Sequence, residues 1–223
     1  MKFGAIIAAR LASTRLPGKA MFPLFGVPVL TLVIERLKVS ELLDDIILAT
    51  TANDEDDVLE QLALESQVKV YRGTVNDVLA RYVEAAKLGD FEYTVRVTAD
   101  CPFVDGQTLD FILSSFREFG APDLVTTKPA YPRGIDYEIY RTDVLEKINA
   151  AHDTTLDDRE HILNYMYRNP KMYEIIRVTP PGELRAETDF FLLDTAADYL
   201  KMRQVTREMQ DLHVTPAEII RLL

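Results

Sequence analysis

Apolar positions in the first half of the chain follow two alternating patterns. One is a short unbroken run, seen over 3–9, over 44–51 (DDIILATT), over 68–71 (VKVY) and over 93–99 (YTVRVTA). Runs of this length bounded by polar residues predict strands buried on both faces. Between them, the segments 28–38, 55–65, NDVLARYVEAAKL and Asp105 to Phe119 repeat at helical spacing. Pro28 suits the first turn of its helix, and Asn53 or Asp54 can cap the second, whose carboxylate-rich first turn the helix dipole favours. The order β-α-β-α-β-α-β-α predicts an α/β fold with a mostly parallel sheet covered on both sides.

The second half is less regular. Strands are predicted over 123–127, 135–140, 173–178 and 190–194 (FFLLD), the last two around the turn Pro180-Pro181-Gly182. Helices are predicted over 142–152 and 157–169, the latter stopped by Pro170, then from Thr195 and from Thr215. Nothing reads as a linker, internal repeat or low-complexity tract. The expectation is one domain over 1–223, with an inserted subregion at about 128–182.

Composition narrows the partners. The 223 residues are 48% hydrophobic and 27% charged, as in ordinary globular proteins, and the net charge is -11. Nucleic-acid binding normally needs a basic face, so it is not expected. Cys101 is the only cysteine, which excludes an intrachain disulfide and points to a reducing compartment. No run approaches the roughly 18 apolar residues of a membrane span. The first strand, interrupted by Arg10, does not read as a signal peptide. A cytoplasmic protein is expected.

The chemistry begins where the first strand ends. AIIAARLASTRLPGK carries Arg10, Arg15 and Lys19 in a loop where open α/β sheets bind ligands. A P-loop is excluded, because Ser13 stands where its first glycine would be and Ala20 where its hydroxyl residue would be. The cations can instead hold phosphate oxygens directly. Asp100 follows a buried strand and is suited to ligate Mg²⁺ or to cap a turn. Asp194 ends the run FFLLD in a similar context, with Asp189 as a weaker alternative ligand. Cys101 reads as a small buried residue. Period two puts Asp136 and Glu138 on one strand face. His152 and His213 read as surface residues.

Together AARLASTRLPGKAM, GTVNDVLARY, RVTADCP, PRGIDYE, DREH and DTAADY resemble, in order, the motifs of cytidylyltransferases that make CMP-activated sugars. The likeness is greatest to the spore-coat-polysaccharide type, with CMP-Kdo and CMP-sialate synthetases as relatives. The resemblance implies a three-layer nucleotide-diphospho-sugar-transferase-like (Rossmann-like) fold with a mostly parallel mixed central sheet, CTP lying over about 1–127. It implies that Ala8, Ala9, Arg10, Arg15, Lys19, Arg72, Thr98 and Asp100 bind the nucleotide. Arg15, Lys19 and Asp100 would carry catalysis, while Asp100 and Asp194 hold Mg²⁺. Arg133, Asp136, Glu138, Arg159 and His161 would meet an acidic sugar acceptor, and a homodimer is implied. Transfer with another nucleotide, transfer to a phosphorylated non-sugar acceptor, and nucleotide binding without catalysis are the competing expectations.

Overall fold

The computed structural model describes residues 1–207, Met209 and 211–223, and of Arg117 the backbone alone. Its centre is a seven-stranded sheet. In chain order its strands are β1 (Phe3–Ala8), β4 (Asp45–Thr51), β5 (Lys69–Gly73), β6 (Tyr93–Thr98), β7 (Leu124–Thr126), β8 (Glu138–Arg141) and β9 (Ile175–Arg177). Two further strands, β2 (Pro23–Leu24) and β3 (Val27–Pro28), form a small hairpin. The sheet order is β5-β4-β1-β6-β8-β7-β9. β8 runs antiparallel to both β6 and β7, and the other pairings are parallel.

Period two sorts the strand side chains between two cores. Phe3, Ala5 and Ile7 join one cluster with α1 (Val29–Leu37), α2 (Asp57–Glu65) and α4 (Gly106–Ser114). Ile6, Ile47 and Ala49 join the other with α3 (Val78–Gly89), α6 (Thr142–Asn149) and α8 (Asn164–Arg168). On β6 the split is chemical: Tyr93, Val95 and Val97 enter the first core, leaving Thr94, Arg96 and Thr98 on the α3 side. Polar side chains at the carboxyl end of a central parallel strand prepare a site there.

Four expectations change. Asp105 caps α4 through the Thr108 amide as predicted, but that helix ends at Ser114 and a separate turn of helix, α5 (Phe116–Phe119), follows. The helix predicted over 157–169 divides into α7 (Leu156–Glu160) and α8 around Ile162 and Leu163, adjacent apolar residues that are both buried. A continuous helix would swing one of such a pair off the buried face. Residues 190–194 are not a strand. Phe191 and Leu193 are buried, but among the described residues the backbone hydrogen bond from this segment to the sheet region is that of the Leu193 amide to the Asp100 carbonyl. The unpredicted hairpin turns at Phe25 and Gly26, both at positive φ (52° and 79°), and a phenylalanine there hides the usual turn signature. The C-terminal part adds α9 (Ala196–Thr206) and α10 (Pro216–Ile220). Among the described residues no helix is long and apolar enough to cross a membrane.

Candidate functional site

Ala8 pairs with Thr98 at the carboxyl ends of β1 and β6, so the loop after β1 and Asp100 leave the sheet at one edge. The loop is shaped from within. The Leu11 carbonyl accepts from the amides of Ser13 and Gly18, Leu16 is buried beneath it, and Gly18 takes φ 72°. Asp56 supports it from behind: fully buried, it accepts the Leu11 amide at 2.8 Å and the Thr51 hydroxyl. In sequence Asp56 looks like another dipole-favoured carboxylate, and neither Asn53 nor Asp56 makes a side-chain cap.

Two clefts, each about 310 Å³, meet at this edge. The first lies between the loop, α3 and α7, and its wall includes Ala8, Ala9, Arg10, Lys19 and Arg81. The second is bounded by Lys128, Arg133, Asp136 and Glu138. Arg15, Arg96, Thr98, Asp100, His161 and Asp194 line both. At that shared wall Lys19 Nζ stands 2.8 Å from Asp100 Oδ2 and 3.5 Å from Asp194 Oδ1, and it donates to the Leu193 carbonyl at 3.1 Å. Arg15 reaches Asp194 Oδ2 at 2.9 Å, and Arg10 reaches Glu160 at 3.5 Å. Thr98 donates to Asp100 Oδ1 at 2.5 Å. Burial alone would raise the Asp100 carboxyl, but the Lys19 charge and these hydrogen bonds outweigh it and hold it below the usual carboxylate range.

The second cleft has a fixed acidic wall. Glu138 is buried, with Lys128 Nζ at 3.0 Å, Arg96 at 3.2 Å and the Tyr167 hydroxyl donating at 2.6 Å. Desolvation opposes its charge, yet Arg96 and Lys128 prevail and keep the carboxyl below its ordinary value. Asp136 precedes β8 instead of lying in it, but Lys128 also reaches it at 3.4 Å, so both carboxylates face one side. Burial and the adjacent Asp100 push the Cys101 thiol well above its usual range, which favours its neutral form.

Two predicted residues stand elsewhere. The Arg72 guanidinium is taken up by the Thr51 and Asn53 carbonyls, Asp57 and Glu60, and it lines neither cleft. Arg159 pairs with Asp77 at 2.6 Å and with Asn149, bracing α7 against the start of α3. Asp189 lies 4.0 Å from Arg133 and is largely exposed, whereas Asp194 is the aspartate that shares Lys19 with Asp100. Sequence reasoning missed Arg81, Arg96, Lys128 and Glu160. A larger groove, about 890 Å³ between the β2–β3 hairpin and α9, carries arginines on its rim, and among the described residues that line it there is no carboxylate.

Among the described residues no three His, Cys, Asp or Glu side chains are grouped to hold a metal. Mg²⁺ commonly takes only one or two carboxylates and completes its shell with water and substrate phosphates. Asp100 and Asp194, hard donors converging on one cationic nitrogen, fit that requirement.

The cytidylyltransferase family model matches residues 4–221. An uncharacterised protein of Methanocaldococcus jannaschii is 33% identical over 100% of this chain and 90% of its own. The spore coat polysaccharide biosynthesis protein SpsF of Bacillus subtilis is 30% identical, over 98% of this chain and 92% of its own. A solved cytidylyltransferase of Leptospira borgpetersenii superimposes with a TM-score of 0.91 at 30% identity, covering 100% of this chain and 93% of that one.

Proposed function

The chain belongs to the cytidylyltransferase family, and from that premise we propose that it moves CMP from CTP onto an acidic sugar with release of pyrophosphate. The observation carrying this reading is Lys19 between Asp100 and Asp194 where the two clefts meet. The loop side suits a triphosphate. Arg133 and Lys128 in the other cleft suit a carboxylate, and Asp136 and Glu138 suit sugar hydroxyls. The relative's role in spore coat polysaccharide biosynthesis agrees with a sugar acceptor.

In this mechanism an acceptor hydroxyl oxygen forms a bond to the α-phosphorus as the bond to the pyrophosphate oxygen breaks, and the hydroxyl proton passes to solvent. Arg10, Arg15 and Lys19 release their carboxylate partners and neutralise the leaving pyrophosphate, while the clefts align the reactants. Asp100 and Asp194 would hold Mg²⁺, which when bound supplies charge neutralisation at the phosphate.

Pyrophosphate release with each of the four nucleoside triphosphates tests the proposal, using a panel of carboxylated sugars and sugar phosphates. Release is expected with CTP, Mg²⁺ and a carboxylated sugar, and a chelator should abolish it. Equal release with all four nucleotides, or none with CTP, would overturn it.

A further inference from the structure

Between the two carboxylates of the second cleft stands a residue that the chemistry above does not use. Asp136 and Glu138 line that cleft, and period two turns Tyr137 the other way, into the first core, where it is 1% exposed. Its hydroxyl meets both backbone groups of one residue. It accepts from the Asp105 amide at 2.6 Å and donates to the Asp105 carbonyl at 2.7 Å. Core packing alone asks for no such pair, since phenylalanine would fill the same space. Tyr131 is also buried, and its hydroxyl has no partner among the described residues.

Both ends of this brace are themselves held. Asp105 caps α4 through the Thr108 amide at 2.7 Å, and the buried Arg36 donates to the neighbouring carbonyls of Val104 at 2.9 Å and Phe103 at 3.4 Å. On the other side, the Tyr137 amide donates to Thr127 Oγ1 at 2.7 Å and its carbonyl accepts the Thr127 amide at 3.0 Å. The residue after Thr127 is Lys128, whose Nζ reaches both Asp136 and Glu138. Asp100 and Asp105 lie in one short connection between β6 and α4. Tyr137 therefore ties the wall carrying Lys128, Asp136 and Glu138 to the connection carrying Asp100.

We propose that Tyr137 is a positioning residue for the transfer, a role that rests on the nucleotidyl-transfer reading above. By fixing the acceptor-side wall relative to Asp100, it sets how closely the acceptor oxygen approaches the α-phosphorus. The hydroxyl lies in the core and acts through Asp136 and Glu138. Displacement at phosphorus needs the reacting atoms about 3–3.5 Å apart, and a misplacement of about 1 Å can cost about a hundredfold. Removing the hydroxyl leaves the Asp105 amide buried and unpaired and frees the wall to drift from Asp100. The first cleft is built on the loop after β1, α3 and α7, so nucleotide binding does not depend on the brace.

The test compares Y137F with Y93F, whose lost hydroxyl is also buried but donates to the Pro122 carbonyl at the opposite end of β6. Three measurements are made: steady-state kinetics with the carboxylated sugar that wild type uses fastest in the panel above, titration calorimetry with CTP, and hydrogen exchange over 127–138 in the free protein. Y137F should lose about tenfold or more in kcat/KM for the sugar, keep its affinity for CTP and exchange faster over 127–138. Y93F should lower the melting temperature and do none of these. T127V removes the acceptor of the Tyr137 amide, should show the same split, and decides the matter if Y137F does not fold. An unchanged kcat/KM for the sugar in Y137F, an equal loss toward sugar and CTP, or the same loss in Y93F overturns the role of Tyr137. A wild type that uses no sugar with CTP overturns the transferase reading itself. Exchange needs no substrate, and an unchanged rate over 127–138 in Y137F overturns the brace on its own.

Discussion

Lys19 is 14% exposed and contacts two aspartates and a carbonyl, so removing it does more than delete a charge. Lys19→Ala would leave Asp100 and Asp194 facing each other and take a cation from the leaving pyrophosphate. Turnover should fall by about two to three orders of magnitude, the cost of losing a well-aimed donor. Steady-state pyrophosphate release beside a thermal melt checks this, and a loss under tenfold in a folded variant removes Lys19 from the chemistry. The loop cations and both aspartates were legible because each follows an apolar run, and strand ends are where such sheets gather ligands. Arg72 also ends a run, but the sequence does not say which way it points, and α2 offers it two carboxylates. Arg81 was hidden for the opposite reason. One arginine in an amphipathic pattern reads as solvent-facing, and only the packing of α3 on β5 buries it.

At the scale of elements, the connection 185–194 matters more than a strand would. It carries Asp194 to Lys19 and is held from below by Gly134, whose φ is 94° and whose added Cβ would stand 2.3 Å from the Phe191 carbonyl oxygen. That neighbour is backbone and cannot rotate away. Gly134→Ala should therefore cost about 2–3 kcal/mol, roughly 5–10 °C in melting temperature for a chain of this size. Activity should fall further as Asp194 is displaced. Differential scanning calorimetry with an activity assay measures both, and an unchanged melting temperature would contradict the contact. The β-α alternation of the first half was readable because buried parallel strands and amphipathic helices differ in period. Around 190–194 the apolar run is real, since Phe191 and Leu193 are buried, but they fill the core from an irregular segment. Burial pattern alone does not distinguish that from a strand.

Across the whole molecule, an acidic chain surrounds a site for a polyanion. The net charge is -11, and each loop cation already has an acidic partner: Arg10 with Glu160, Arg15 with Asp194, Lys19 with Asp100 and Asp194. Composition revealed the imbalance and the loop revealed the cations. The pairing needed the fold, because Glu160 and Asp194 arrive from elements far along the chain. It follows that the cations become available only after the nucleotide has arrived, and the approaching triphosphate meets a repulsive field. Encounter should then be slow in dilute buffer and quicken as added salt shortens the screening length from about 30 Å at 0.01 M to about 8 Å at 0.15 M. Stopped-flow association rates for CTP over that range should rise with ionic strength. A steep fall would instead reveal an open positive funnel. With this charge arrangement, the site gains its hold on the nucleotide by exchanging partners at close range and gives up long-range capture.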